Sequence, residues 1–161
     1  MATYCSHSRN AAAPAQTAVT TTAKTMVDIS AVTATLSRFQ IFELEVGADG
    51  APNATDCQIV YDVVRETAVG TGVASTPNPL FPADVASRQL NKINDTIEPT
   101  IASPPLSLLA IALNQRASQR WIAAPGKELL FPATNGNGAA CRALSPTYAS
   151  FVLVTVFYDD L

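Results

Sequence analysis

The stretch ASFVLVTVFY, residues 149–158, decides the fold class of this chain. β-Branched and aromatic residues dominate it, and both residue types favour strands. Alternate positions fall on opposite faces of a strand, one with Phe151, Leu153, Thr155 and Phe157 and the other with Val152, Val154, Val156 and Tyr158. Because both faces are apolar, we predict a central strand that is covered on both sides.

Three stretches in the first half of the chain also have strand patterns. Residues 27–31 (VDISA) alternate between apolar and polar, and residues 57–66 (CQIVYDVVRE) are rich in β-branched residues. In residues 39–46 (FQIFELEV) the apolar phase changes after Ile41: Phe39 and Ile41 have one parity, and Phe42, Leu44 and Val46 the other. This change predicts a β-bulge, or a strand that is buried on both faces at its start.

The second half of the chain contributes shorter apolar runs. Residues 106–113 (LSLLAIAL) have the length of a strand, and a buried helix is the competing interpretation. Two prolines directly before this run and a strand-like segment after it, residues 119–124 (QRWIAA), favour a strand. Residues 128–131 (ELLF) predict one more short strand.

A proline-rich segment separates the two halves. Residues 67–105 contain six prolines, which interrupt regular structure, so we predict a long irregular middle loop. A short helix within it fits residues 83–91. Loops of this length often contact a partner. Phe81, a large apolar residue within this loop, is therefore a candidate interface residue.

Short strands separated by Gly and Pro turns, without a βαβ rhythm, predict an all-β fold. We expect a single jelly-roll-like antiparallel β-sandwich over residues 25–161, with an immunoglobulin-like sandwich as the second choice. Residues 1–24 are rich in Ala, Thr and Ser without apolar periodicity. They predict an extended N-terminal arm or a first edge segment.

The composition points to a surface that meets a partner. The chain is 48% hydrophobic but only 14% charged, against about 25% charged residues in an average domain. A neutral, Thr-rich β surface is the alternative explanation. The net charge of -3 argues against nucleic-acid binding, and no run of about 20 apolar residues predicts a membrane span. The N-terminus lacks the apolar region of a signal peptide, so we expect synthesis in the cytoplasm.

Residues that could carry catalysis are scarce. His7 is the only histidine and lies in the predicted arm, where a general base would not be held in place. Cys5, Cys57 and Cys141 have no metal-binding spacing; we expect Cys57 and Cys141 to be buried free thiols, with a bond between them as the alternative. The acidic pairs Glu43/Glu45 and Asp159/Asp160 predict a solvated strand face and a soluble terminus. We therefore predict a protein that is not an enzyme and has no cofactor or metal.

Three residues near the predicted strand at 119–124 are further interface candidates. Trp121 is the only tryptophan and serves either as a core anchor or, on an exposed edge, as an interface anchor. Arg116 and Arg120 flank the strand and suit salt bridges or contacts with a partner.

Several segments resemble small tailed-phage structural proteins of the head-decoration, or cement, type. They are Asn114-Gln115-Arg116-Ala117, the run from Arg120 to Glu128 (RWIAAPGKE), residues 39–44 (FQIFEL) and residues 67–71 (TAVGT). An apolar strand that runs to an acidic terminus is also similar. The resemblance covers roughly residues 24–160, and its motifs are structural rather than catalytic.

This resemblance implies a jelly-roll fold and copies clustered on the exterior of a phage capsid within the virion. The implied partners are the major capsid protein and further copies of the chain, as a trimer in preference to a dimer. No catalytic residues are implied. The alternative function is a carbohydrate- or receptor-binding β-sandwich of a phage tail or baseplate, because jelly rolls often bind sugars.

Overall fold

The computed structural model describes residues 1–9 and 16–161, and over these residues the chain is an all-β sandwich, as the sequence predicts. In chain order the strands are β1 (Ala2–His7), β2 (Lys24–Ala31), β3 (Phe39–Ala48), β4 (Gln58–Ala68), β5 (Thr71–Ala74), β6 (Asn78–Pro79), β7 (Gln89–Ile97), β8 (Thr100–Ile101), β9 (Ser107–Asn114), β10 (Ser118–Ile122), β11 (Leu129–Phe131), β12 (Gly138–Leu144) and β13 (Val152–Asp160). A single 3-10 turn, Thr33–Thr35, is the one helical element among the described residues. No helix there is long and apolar enough to cross a membrane.

The strands form two antiparallel sheets. The six-stranded sheet has the order β10-β3-β13-β1-β6, with β11 also paired to β3. The seven-stranded sheet has the order β5-β7-β2-β12-β4-β8, with β9 also paired to β4. Consecutive long strands repeatedly change sheets, as β2, β3 and β4 do, which is the connectivity expected of a jelly-roll-like sandwich.

Strand β13 is central, as predicted, but only one of its faces is covered. It lies between β3 and β1, and its valines at 152, 154 and 156 are at most 2% exposed in the core between the sheets. On the opposite face Leu153 is 36% exposed, and Phe151 just before the strand is 40% exposed. The prediction of cover on both sides was therefore wrong, because no second layer of the described residues packs on the outer face of this sheet.

The change of phase in β3 is a β-bulge, which confirms that prediction. In the pairing with β13, Phe157 lies opposite Glu43 whereas the next residue, Tyr158, lies opposite Ile41. Phe42 is the extra residue. The bulge allows Ile41 and Leu44, which have opposite parity, to enter the same core.

The middle segment contains more regular structure than the sequence suggested. Strand β7 runs through the predicted helix and pairs with β2 and β5, so the helix prediction was wrong. Its inward positions include the polar Gln89 and Asn91, which hid the alternation of a strand. The residues from 80 to 88 remain irregular.

The predicted arm is partly a strand. Strand β1 pairs with β13 over six positions and is bordered on its other side only by the two-residue β6, so it lies close to a sheet edge. Residues 16–23 have no regular structure, yet Val19 is fully buried and its N–H donates to the carbonyl of Ser150. Residues 10–15 of the predicted arm lie outside the described residues.

Two narrower predictions are confirmed. Residues 107–114 form a strand, β9, rather than a helix, and pair with β4. Cys57 and Cys141 are buried free thiols, and burial raises the pKa of the Cys141 thiol well above its ordinary value. Cys5 is also free but is half-buried within β1.

The close contact of β12 with β2 gives a test of the packing. A Cβ added at Gly138 would lie 2.0 Å from the carbonyl oxygen of Ile29 and 2.7 Å from the Cα of Ser30, both backbone atoms. Gly138→Ala should therefore lower the free energy of unfolding by about 2–3 kcal/mol, measured by urea denaturation. Gly47→Ala is the matched control, since the one tight contact of its Cβ would be the Ser118 Cβ at 3.2 Å, and it should cost less than about 1 kcal/mol. Equal losses for the two variants would contradict this account.

Candidate functional site

The four predicted interface residues lie in three different places. Trp121 faces inward opposite Leu44 and is half-buried against the core, whereas its neighbour Arg120 faces outward. Arg116 lies in the turn between β9 and β10, where its Nε donates to Asp56 Oδ1 at 2.9 Å. Phe81 is 64% exposed in the irregular segment 80–88. Only Arg120 and Phe81 belong to larger apolar surfaces.

The first of these surfaces is the outer face of the six-stranded sheet, here called the sheet surface. Its exposed large apolar residues come from three strands and the approach to β13: Ile122 (56% exposed), Leu130 (41%), Phe151 (40%) and Leu153 (36%). Half-buried Phe42 and Phe157 lie between them, with ring centroids 6.4 Å apart. Ile122 is opposite Glu43, which is opposite Phe157, so these residues share one continuous row across the strands.

An ion-paired cluster interrupts the sheet surface. The Nε of Arg120 lies 2.5 Å from Glu43 Oε1 and 3.7 Å from Glu45 Oε1. The hydrogen bond with Glu43, followed by the charge of Glu43, raises the pKa of Arg120 above its ordinary value. Glu45 is solvated as predicted, but the Glu43 side chain, which meets the guanidinium of Arg120, is only 9% exposed. The positive charge of Arg120 is thus fully paired within the chain, and the cluster as a whole carries one excess negative charge.

A shallow cleft of about 380 Å³ adjoins this cluster. Its lining includes Glu45, Arg120 and Leu153, and none of its lining residues is aromatic. Burial raises the pKa of Cys5, on the neighbouring strand β1, and the charges of Glu45 and Glu43 raise it further. The thiol of Cys5 is therefore held in its protonated, weakly nucleophilic form.

The second surface, here called the end patch, lies at one end of the sandwich. Its members are Met1 (89% exposed), Leu80 (52%), Phe81 (64%), Val85 (70%) and Leu161 (43%). Pairing of Ala2 with Asp160 brings the two termini together. The Tyr4 hydroxyl donates to the carbonyl of Val85 at 2.7 Å and thereby fixes the loop beside them. Of this patch the sequence indicated only Phe81, because the other residues meet through the topology.

The acidic end of the chain is structural rather than a solubilising tail. Asp159 is 7% exposed and accepts hydrogen bonds from Thr3 Oγ1 and Gln40 Nε2. Asp160 is 6% exposed and accepts from Gln89 Nε2 and from the N–H of Arg88. The prediction of a solvated acidic terminus was wrong, since Asp159 joins β13 to its neighbours β1 and β3 and Asp160 joins it to the start of β7 in the other sheet.

Sequence reasoning missed a buried acid cluster on the seven-stranded sheet. Asp28, Glu66 and Asp95 are each at most 1% exposed. Burial is the largest cause that raises the pKa of each: Glu66 to about 11, Asp95 to about 8, and Asp28 in the same direction. Across residues 1–9 and 16–161, no group of three or more His, Cys, Asp or Glu is arranged to hold a metal ion. No sequence signal marks this cluster, because its members come from three strands with no common spacing.

Two arginine variants test which ion pair matters on this side of the molecule. Arg120→Gln removes the partner of the nearly buried Glu43, whereas Arg116→Gln removes the partner of the exposed Asp56. A charge left without a partner costs more when it is buried. We therefore expect Arg120→Gln to lower the melting temperature clearly and Arg116→Gln to leave it almost unchanged, in calorimetry at neutral pH. A larger effect of Arg116→Gln would contradict this ranking.

Comparisons with known proteins do not assign this chain to a family. No family model matches it, and neither the curated proteins nor the solved structures include a significant match. The resemblance to head-decoration proteins therefore rests on the quoted segments alone. The sheet surface and the end patch are the two features of the structure from which a function can be inferred.

Proposed function

We propose that this chain is a structural virion protein of the capsid-decoration, or cement, type. It assembles with copies of itself and binds the exterior of a phage head across neighbouring capsid subunits. The observation that carries the proposal is the sheet surface, where large apolar side chains remain exposed from the edge strands β10 and β11 to the central strand β13. Contiguous exposed apolar surface of this kind marks contact sites between proteins.

The sheet surface supports self-association in two ways. Burial of Ile122, Leu130, Phe151 and Leu153 against a second copy removes their apolar area from water, which favours association. Arg120 is already paired with Glu43 and Glu45, so its guanidinium brings no unpaired positive charge to the contact between two copies. A trimer suits threefold positions of a head lattice and is preferred here to a dimer, which suits twofold positions.

The end patch supports contact with the particle. It is formed by the termini and the loop at residues 80–88, whereas the sheet surface is formed by β3, β10, β11 and β13. One surface can therefore bind a sister copy while the other binds the major capsid protein. Phe81 is the best candidate for an anchor, since exposed aromatic residues supply much of the binding energy at protein interfaces.

Cement activity is then a consequence of linkage. A protein that binds the assembled head but not free capsid subunits stabilises the assembled state. The stabilisation grows with the logarithm of the free protein concentration divided by its dissociation constant for the head. An oligomer binds several subunits at once, so modest contacts at each end patch combine through effective concentration. Apolar contacts and multivalency are sufficient for this activity, and no catalytic group is required.

The first test is self-association in solution. Ile122→Lys places a charge on the most exposed apolar residue of the sheet surface and should convert an oligomer to a monomer, measured by light scattering. Leu106→Lys is the matched control, because Leu106 is 67% exposed on the seven-stranded side and should leave the mass unchanged. A wild-type protein that is monomeric at all accessible concentrations would defeat the self-association part. Binding of that monomer to a glycan array would instead favour the carbohydrate-binding alternative.

The second test is attachment to the particle. Phe81→Ser should weaken binding to decoration-free heads by at least about tenfold in a co-sedimentation assay, as expected for loss of one interface anchor. Ile97→Ser is the control, since Ile97 is 66% exposed at the far end of β7 and lies outside both surfaces. Wild-type protein that does not co-sediment with such heads at any concentration would reject the decoration function.

A further inference from the structure

Three buried carboxyl groups meet beneath the turn that joins β4 to β5. Asp28 lies on β2, Glu66 on β4 and Asp95 on β7. Glu66 is opposite Gly138 on β12, and a Cβ at Gly138 would lie 2.8 Å from Glu66 Oε1. The glycine thus leaves the space through which the Glu66 side chain reaches towards Asp28 on the far side of β12.

The turn rests directly on these carboxyl groups. The N–H of Gly70 donates to Asp28 Oδ2 at 3.1 Å, and Lys92 Nζ donates to the carbonyl of Gly70 at 2.6 Å. A Cβ at Gly70 or Gly72 would lie 2.0 or 2.1 Å from a carboxyl oxygen of Asp95. Only glycine lets the backbone lie this close, so the turn is shaped to cover the acid cluster.

Most of the carboxyl oxygens have no donor. Asp28 Oδ1, both oxygens of Glu66 and both of Asp95 are buried, and no N–H or O–H of the described residues donates to them. An ionised carboxylate can only accept hydrogen bonds, and leaving it buried without donors is costly. The groups that remain within reach are the carboxyls themselves, which can bond to one another only by sharing protons.

The surrounding charges are too few to neutralise three ionised carboxylates. Lys92, on β7, is the cation that lowers the pKa of all three. Glu98, which follows β7, raises the pKa of Asp95, and its own nearest cation is Lys24 on β2, at 3.4 Å. Cys141 on β12 is a buried neutral thiol. The single ammonium group of Lys92 can neutralise only one of three carboxylates. Protons bound to the carboxyl groups must therefore neutralise the remaining negative charge.

We propose that Asp28, Glu66 and Asp95 form a proton-sharing latch that holds the β4–β5 turn on the sheet, and that deprotonation of the latch at raised pH releases the turn. Strand β5 comes directly after this turn and is the edge strand paired with β7. Release therefore loosens β5 and uncovers the edge of β7. The latch is independent of the assembly proposed above and lies on a different sheet.

The direction of the pH dependence is set by the raised pKa values. A carboxyl whose pKa is higher in the closed state stabilises that state fully at pH below its ordinary value of about 4. The stabilisation is lost progressively as the pH rises through the closed-state pKa, which is about 8 for Asp95. For Asp95 alone, the opening equilibrium should rise on the order of a hundredfold between about pH 6 and about pH 9.

The test is amide hydrogen exchange of the intact wild-type protein, followed by NMR and corrected for the intrinsic pH dependence of exchange. The protection factor of the Gly70 amide should fall at least on the order of a hundredfold between about pH 6 and about pH 9, because Glu66 adds to the effect of Asp95. The amide of Tyr61, in the middle of β4, should keep its protection. An unchanged Gly70 protection factor, or an equal loss at Tyr61, would overturn the latch.

Variants and a cation distinguish the source of the effect. Asp95→Asn removes one of the titrating groups and should make the pH dependence at Gly70 shallower, with Glu66 still contributing, whereas Glu45→Gln, on the sheet surface, should leave it unchanged. If Asp95→Asn does not fold, the wild-type series still decides the question. Calcium chloride should not change Gly70 protection at about pH 9. Protection that is restored by calcium and removed by a chelator would show that the carboxyls hold a cation, and would overturn the proton latch.

Discussion

The pairing of β13 with β3 is the constraint on which the remaining structure depends. It runs from Val152 opposite Ala48 to Asp160 opposite Phe39, and the bulge at Phe42 keeps both ends in register. On the inner side this pairing gives the core its valines and Tyr158, whose ring stacks on Tyr4 and meets Phe39 edge-on. On the outer side the same pairing aligns Phe157 with Glu43 and so creates the sheet surface.

Polar groups inside the sandwich explain why its two ends differ. The Tyr158 hydroxyl donates to Ser87 and accepts from Asn91, while Asp160 accepts from Gln89, so direct hydrogen bonds join β7 to β13 at this end. The Oε1 of Gln89 and the Oδ1 of Asn91 receive no donor among the described residues. The acid cluster on the seven-stranded sheet has no comparable set of donors among the described residues. Hydrogen bonds between amide and hydroxyl groups do not change over the ordinary pH range, whereas a cluster of carboxyl groups that share protons does. The β4–β5 turn is therefore the segment of this fold most open to regulation by protons.

The parts of the fold that the sequence predicted are those that local pattern determines. The alternation in β13, the change of phase in β3 and the apolar run of β9 all depend on residues within one strand. The sequence pattern did not predict strand β7, because its inward Gln89 and Asn91 are polar and bond to β13, which is far away in the sequence. The acid cluster could not be predicted either, because its three residues are far apart in the sequence and meet only through the register of three strands. Phe81 could be predicted as an interface residue because it is a large apolar residue in a proline-rich loop. The other residues of the end patch could not be predicted, because only the fold brings them together.

Burial of acidic residues also changes what the net charge means. Seven of the thirteen acidic residues are buried, namely Asp28, Glu43, Asp62, Glu66, Asp95, Asp159 and Asp160, whereas none of the ten Lys and Arg is. All of these residues lie in the described part of the chain. Burial does not remove these charges, because buried Glu43 and Asp62 are the partners of Arg120 and Arg142 and neutralise them. Fewer charged side chains therefore face solvent than the composition suggests, and apolar contact at the sheet surface and the end patch requires less desolvation of unpaired charge.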